Sequence, residues 1–415
     1  MGVEASPKLW AQRYVIEAAE AQWRQARAGL YPRLEYFQIF GVVNEARGDP
    51  LFSPDDRSDL LSGLGPFTRL SLTVNQPLTT FGRTRSHMEA AEQGTEAKKA
   101  AMDRFRLELV RTLKELYYTA LMNEDLYRIV SDTEENFARA VEKAEELLED
   151  DAGTLTQQDL LKLRYGLARA SGQLLEIRKG RMLVHAALKR LLYLPEGEDF
   201  APAENRLRAV RIDLEDLGHY QETATRLRPE FQELDRGILA RQAELRAAQR
   251  EYFPTLFMSG TFRYAVAPNR DEQSNPFAVE DFNYLDGGVF LGCRLSLDFG
   301  IPQRVAEKRA EVFTLLQEQR AAVSGILLEV ERAYRDVVEK KESLAFAGDS
   351  RRNGRALAAL SGASFHLGLG EARDVFEAFG IYAEAAARYY LAVKEFNVAV
   401  AELARVTGND FLEER

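Results

Sequence analysis

The sequence predicts a mainly α-helical chain with a membrane β-barrel component, built as two structural repeats. Three observations predict it. One order of elements (helix, strand, polar loop, strand, long helical hairpin) runs twice along the 415 residues. The strand segments alternate with a period of two and are about 9–11 residues long, enough to cross a bilayer when tilted. The helical segments carry apolar seams over stretches too long to fold back onto a small sheet.

Repetition dictates architecture, so it comes first. The copies open with SPKLWAQRYVIEAAEAQWRQARAGLYP and RPEFQELDRGILARQAELRAAQREYFP. One fixed offset places Pro7 on Pro229, Ile16 on Ile238, Arg24 on Arg246, Pro32 on Pro254 and Leu34 on Leu256. Alanine matches come cheaply; two prolines at one separation do not. The first repeat covers 1–194 and the second 229–415, joined by a linker at 195–228 with a short helix of its own. The segment IDLEDLGHYQETATRLR before Pro229 has no counterpart before Pro7, so the first copy is expected to be clipped and to have followed a leader. MGVEASPKLW itself contains no signal peptide.

Residues 8–30 read as a helix stopped at Pro32, because proline disfavours helix in the residue before it. The strands are expected at ~34–44 and ~68–76, then ~256–266 and ~288–299, rich in the aromatic and β-branched residues that suit a pleated surface. Between them, 45–67 and 267–287 are polar loops. Helical hairpins follow at ~84–194 and ~303–407. In the first, Leu109, Leu113, Leu116, Ala120, Tyr127, Val130, Phe137, Val141, Ala144 and Leu148 form a heptad seam interrupted by Asn123 and Glu134.

Composition excludes several classes. A net charge of −10 argues against nucleic acid, which wants a basic face. No run approaches the ~18–20 apolar residues of a membrane-spanning helix. Cys293 is the only cysteine, so neither a disulfide framework nor a cysteine metal site forms within one chain. His87, His185, His219 and His366 share no ligand spacing, and no HExxH or CxxC occurs. GLG at 368–370 sits between helices, not after a strand, so it is no phosphate cradle. No nucleophile has a plausible partner: no enzyme and no cofactor is expected.

Four spanning strands cannot close a barrel, and an open edge in lipid leaves backbone groups unpaired at several kcal/mol each. Such a chain must close by association: a dimer is the minimum, and a trimer gives twelve strands. Alternation alone fits a soluble antiparallel sheet equally well. The long helices tilt the balance, since their seams need helical partners.

The element order, given twice, resembles the outer membrane efflux proteins, the TolC-like family. Tyr31-Pro32-Arg33-Leu34 and Phe253-Pro254-Thr255-Leu256 match its helix-to-strand entry. NQPLTTFGR (75–83) is similar to its strand exit, and RPEFQELDRGILARQAELRAAQREYFPTL to its second-copy opening. The resemblance covers essentially the whole chain. It implies a homotrimer with a twelve-stranded β-barrel in the outer membrane, in contact with its lipid, on a long α-helical barrel in the periplasm. It further implies the exit duct of a tripartite efflux or secretion system, which passively conducts small molecules or polypeptides received from an inner-membrane transporter through a periplasmic adaptor (membrane fusion protein). The rival class is a soluble coiled-coil scaffold or adaptor protein with a small β domain.

The hairpin breaks align as Gly153-Thr154 through Asp159 and Gly368-Leu369-Gly370 through Asp374. Glycine suits a helix end, and an acid in the next first turn suits its dipole. By resemblance these tips form the periplasmic entrance and meet the adaptor. Asp374 and Glu377 share one face of the return helix. They read as an ordinary solvated helix start or, by resemblance, as an acidic ring that narrows the entrance and attracts cations. Asp159 holds the matching place in the first hairpin. Gly370 stands where drug channels of this family carry an arginine that helps hold the entrance shut, and Arg373 is the nearby substitute. Glu149, Asp150 and Asp151 read as a solvated turn. In the last strand Val289, Leu291, Leu295 and Leu297 are expected to face lipid, with Arg294, Ser296 and Asp298 toward the lumen. The first strand is apolar on both faces, so its orientation is open.

Overall fold

The computed structural model describes residues 6–48, 57–58, 63–149, 156–195, 202–271, 282–367 and 369–409. In chain order the elements are α1 (Pro7–Ala28), β1 (Arg33–Val43), β2 (Ala46–Arg47), β3 (Arg57–Ser58), β4 (Gly65–Thr79), α2 (Arg83–Glu149), α3 (Gln157–Leu192), α4 (Leu217–Leu227), α5 (Pro229–Gln249), β5 (Thr255–Val266), β6 (Tyr284–Arg294), α6 (Ile301–His366) and α7 (Ala372–Thr407). A single 3₁₀ turn, Arg250–Tyr252, links α5 to β5. The chain divides into two units, one holding the sheet (Ile16–Ala97 and Leu234–Gln317) and one helical (Met1–Val15, Lys98–Glu233 and Glu318–Arg415).

In the sheet unit, β1-β4-β5-β6 form one antiparallel sheet with β1 and β6 as its edges. Strand β4 starts earlier than the alternation alone indicates. Its partner β1 is long enough to pair Val43 with Gly65 and Val42 with Pro66, whereas β5 joins β4 only from Thr68. Pro66 thus has a neighbour on one side only, a place where strand proline is tolerated. Pro77 falls at a register shift between Pro77 and Thr79, the other such place. Within the expected loop 45–67, the two-residue strands β2 and β3 pair with each other.

The two exits from sheet to helix are locked differently. Gly82 has a φ of +85°, and its carbonyl accepts a hydrogen bond from Arg250 Nη1 at 2.7 Å. The positive φ is what favours glycine there; a Cβ would also displace that guanidinium, the movable end of its side chain. Phe81 stacks on Phe253, centroids 5.7 Å apart. In the second repeat Arg304 pairs with Glu251 at 2.6 Å and with Asp298 at 2.8 Å.

In the helical unit, small residues allow close packing. One core joins Phe137, Ala144 and Leu163 to Phe365, Val375 and Phe379, so both hairpins share it. Phe137 lies against Gly166, where a Cβ would meet its ring at 2.6 Å. A second core gathers Tyr220 and Ala224 of α4 with Val330 and Val337 of α6 and Val400 and Leu403 of α7. The linker reaches this body in extended form and is pinned by two buried polar side chains. Asp125 accepts the Leu207 N–H at 2.7 Å, and Asn397 brackets Arg208 and Val210.

Candidate functional site

Strand register assigns the two faces of the sheet. Opposed residues of an antiparallel pair point to the same side, and successive residues alternate. One face therefore carries Leu34, Tyr36, Phe40 and Val42 of β1, then Leu70, Leu72 and Val74 of β4. It continues through Met258, Phe262 and Tyr264 of β5 to Leu285, Val289 and Leu291 of β6. No charged residue of the four strands lies on it. The other face holds Arg33, Glu35, Arg69, Arg263, Asp286 and Arg294 among Ser71, Thr73, Asn75, Ser259 and Thr261. This orients β1, whose own sequence is apolar on both sides.

The charge-free face is open to its surroundings. Val289 is 74% and Leu291 80% exposed, and among the described residues the buried cluster beside the sheet is Phe67, Ala265 and Ala267. Leu295 and Leu297, expected beside Val289 and Leu291, fall beyond the end of β6. Its partner β5 begins at Thr255, directly after Pro254, and Thr255 pairs with Arg294, so residues 295–298 have no strand to join. Ser296 lies in the same unpaired stretch. Asp298, expected toward the lumen, instead accepts the Gly300 N–H at 2.7 Å and pairs with Arg304.

At the hairpin ends, Gly153, Thr154 and Gly368 lie outside the described residues, as do Asp150 and Asp151. Gly370 is packed hard against the end of α6. Its N–H and that of Leu369 both donate to the Ser364 carbonyl, at 3.1 and 2.9 Å, and a Cβ on it would meet Phe365 N at 3.0 Å. The close approach gives a local reason for glycine at this position.

Asp159 is the third residue of α3 and closes a capping box. Thr156 Oγ1 accepts the Asp159 N–H at 3.3 Å, and the Thr156 N–H donates to the Asp159 carboxylate at 3.2 Å. The Thr156 hydroxyl also donates to that carboxylate, and this bond, with Lys162 at 3.2 Å, holds the acid below the usual carboxylate range. In α7, Arg373 pairs with Glu377 at 3.0 Å, both exposed. Asp374, between them in sequence, has no ion pair among the described residues. Leu160 and Leu163 share a core with Ala372 and Val375, so the first turns of α3 and α7, and with them Asp159 and Asp374, start from one packed layer. A groove of about 640 Å³ runs beside it, lined by Phe137, Phe376, Phe379, Glu176, Glu377 and Glu384.

Sequence reasoning missed a clasp that ties three helices to the junction between α4 and α5. Arg228, 4% exposed, joins Glu329 of α6, which Arg405 of α7 also holds at 2.5 Å; Arg405 pairs with Glu402 at 2.7 Å, and Glu402 with Arg111 of α2 at 3.1 Å. It also missed Asp125 and Asn397, although a lone Asn in the apolar run YLAVKEFNVAVAELA was a visible signal. Among the described residues no group of His, Cys, Asp and Glu could hold a metal ion, and no helix is long and apolar enough to cross a membrane.

The chain thus combines one charge-free face on four antiparallel strands with two repeats of long helical hairpins. Residues 3–192, somewhat under half of the chain, match the family described as Outer membrane efflux protein. The chain is similar to the outer-membrane channel OprN (18% identity, 99% of this chain and 89% of that one, TM-score 0.78). It is likewise similar to the Campylobacter jejuni CmeC outer membrane channel (14%, 98% and 84%, 0.77) and to the open state of the Neisseria gonorrhoeae MtrE outer membrane channel (17%, 98% and 87%, 0.74). At these identities the likeness is one of fold. No curated protein sequence matches. The family and its structural neighbours are channels, not enzymes.

Proposed function

We propose that three copies of this chain form the outer-membrane exit duct of a tripartite efflux or secretion system. The observation that carries the reading is the charge-free face running across all four strands, with β1 and β6 left as bare edges. In lipid those edges must be paired, and joining β6 of one copy to β1 of the next in three copies gives a closed twelve-stranded barrel. The charge-free face then meets lipid through residues such as Val289 and Leu291, with Leu295 and Leu297 at the barrel foot. The polar face lines a water-filled lumen.

The hairpin ends carry the periplasmic entrance, with Asp374, Glu377 and Asp159 as its acids and Arg373 as the cation that partly neutralises Glu377. The groove beside Glu377 and the tip residues Gly153, Thr154, Gly368 and Gly370 are the surface offered to a periplasmic adaptor, which receives cargo from an inner-membrane transporter. The duct conducts passively. The test is the light-scattering mass of protein extracted from membranes in mild detergent. A detergent-dependent particle of three chains supports the reading; a monomer or dimer soluble without detergent overturns it.

A further inference from the structure

The polar face of the sheet carries charge that does not cancel. It holds the guanidiniums of Arg33, Arg69, Arg263 and Arg294 against the carboxylates of Glu35 and Asp286. Arg263 makes a two-pronged pair with Asp286 across β5 and β6, at 2.9 and 2.7 Å. Arg33 stands 3.8 Å from Glu35. Arg69 and Arg294 remain, and among the described residues no carboxylate pairs with either.

Each of them lies over an aromatic ring of its own face. The Arg69 guanidinium is 5.5 Å from the Phe67 ring, and that of Arg294 is 5.4 Å from the Phe257 ring. The Nε of Arg69 is buried without a hydrogen-bond acceptor. The two arginines stand toward opposite ends of the sheet, Arg69 across from Ala265 near the end of β5 and Arg294 across from Thr255 at its start. Stacking on a ring orients a guanidinium while leaving its N–H fork free, which is the geometry that takes an oxyanion through two parallel hydrogen bonds. The excess of positive charge here runs against the net −10 of the whole chain, so bulk composition does not account for it.

We propose that Arg69 and Arg294 are anion-selecting positions of the duct, which recognise solutes bearing carboxylate, sulfate or phosphate groups. The proposal rests on the reading above that the polar face lines the lumen of a three-copy barrel. There each arginine becomes a ring of three, and a water-filled cleft of one sign concentrates ions of the other.

The test is the chloride-to-potassium permeability ratio, read from the reversal potential of single channels in a planar bilayer under a KCl gradient. It is made in a D374N/E377Q background so that the entrance carboxylates do not dominate the ratio. The expected result is a several-fold fall in the ratio for R69Q/R294Q and retention of it in R69K/R294K, which keeps the charge. An unchanged ratio in R69Q/R294Q overturns the proposal while leaving the duct intact, because conductance itself persists; loss of conductance in the unmodified protein overturns the duct and this proposal together. If R69Q/R294Q does not assemble, inorganic pyrophosphate added to the unmodified channel on the barrel side decides the matter. Block of the KCl current supports anion capture, and an unaffected current overturns it.

Discussion

Asn397 grips Val210 and Arg208, two residues apart, with both ends of one amide. Its Oδ1 accepts the Val210 N–H at 2.9 Å, and its Nδ2 donates to the Arg208 carbonyl at 2.8 Å. The side chain is fully buried on α7, and its two bonds to the extended linker are of the kind a neighbouring strand's backbone would supply. Replacing Asn397 by Leu keeps the volume and strips both backbone groups of their partner. The expected cost is about 2 kcal/mol, the scale of leaving buried polar groups unpaired. Denaturant unfolding checks it, together with faster amide exchange at Val210 and Leu207 and little change in the sheet.

Asp125 is the other pin, and its chemistry depends on pH. Burial pushes its carboxyl above the ordinary range, against the Leu207 N–H and Arg128, Arg206 and Arg351, which act in the opposite sense. Raised in the folded state, the group contributes stability that is full below its unfolded value and is lost as pH rises through its folded one. In D125N that loss disappears, while the amide oxygen can still accept the Leu207 N–H. The D125N unfolding midpoint should therefore gain on wild type as pH rises from about 4, the ordinary aspartate value, toward 7. Equal midpoints across that span would refute this account.

Glu329 behaves in the opposite way. Burial would raise its carboxyl, but the hydrogen bonds from Arg228 and Arg405 outweigh that and hold it below the usual range. Its contribution is present above the unfolded value and is lost as pH falls through the folded one. E329Q should lose about 1.5–3 kcal/mol at neutral pH, the scale for hydrogen bonds to charged groups, and lose less than wild type on acidification. Unfolding curves at pH 7 and in acid separate this from a simple packing defect, which would not change with pH.

The faces of the sheet predict an asymmetry between two substitutions. V289R places a cation on the charge-free face and should disfavour insertion by about 2–4 kcal/mol per copy, the value for a lipid-facing arginine at mid-depth. S259R places the same side chain on the polar face and should be tolerated. The measurement is the fraction of chain recovered as a folded, detergent-stable assembly from lipid vesicles. Equal recovery of the two variants would reject the assignment of faces.

The order of elements was legible in the sequence because short-range signals write it. Proline at 32 and 254, alternation in β5 and β6 and glycine after β4 each act within a few residues. The orientation of β1 was not, since Leu34, Phe37, Ile39 and Phe40 put apolar side chains on both faces and only pairing with β4 decides between them. The end of β6 was overrun for a related reason. Leu295, Leu297 and Phe299 continue the alternation, yet a strand lasts only as long as its neighbour. Asp125, Asn397 and the Arg228–Glu329–Arg405 clasp act across more than 70 residues of chain, beyond any local pattern. At the hairpin ends, the spacing that marked Asp159 also marks a capping acid, and the structure gives it that structural work.

The bare edges of β1 and β6 have a consequence for biogenesis. A solitary copy of the proposed duct has no resting form in lipid, because its unpaired backbone groups find neither water nor a neighbour there. Insertion and partner capture must then be a single event, and its rate should rise steeply with the number of copies waiting at the membrane. Scarce expression would yield chains stranded in the periplasm and exposed to proteases, not a smaller number of half-built pores.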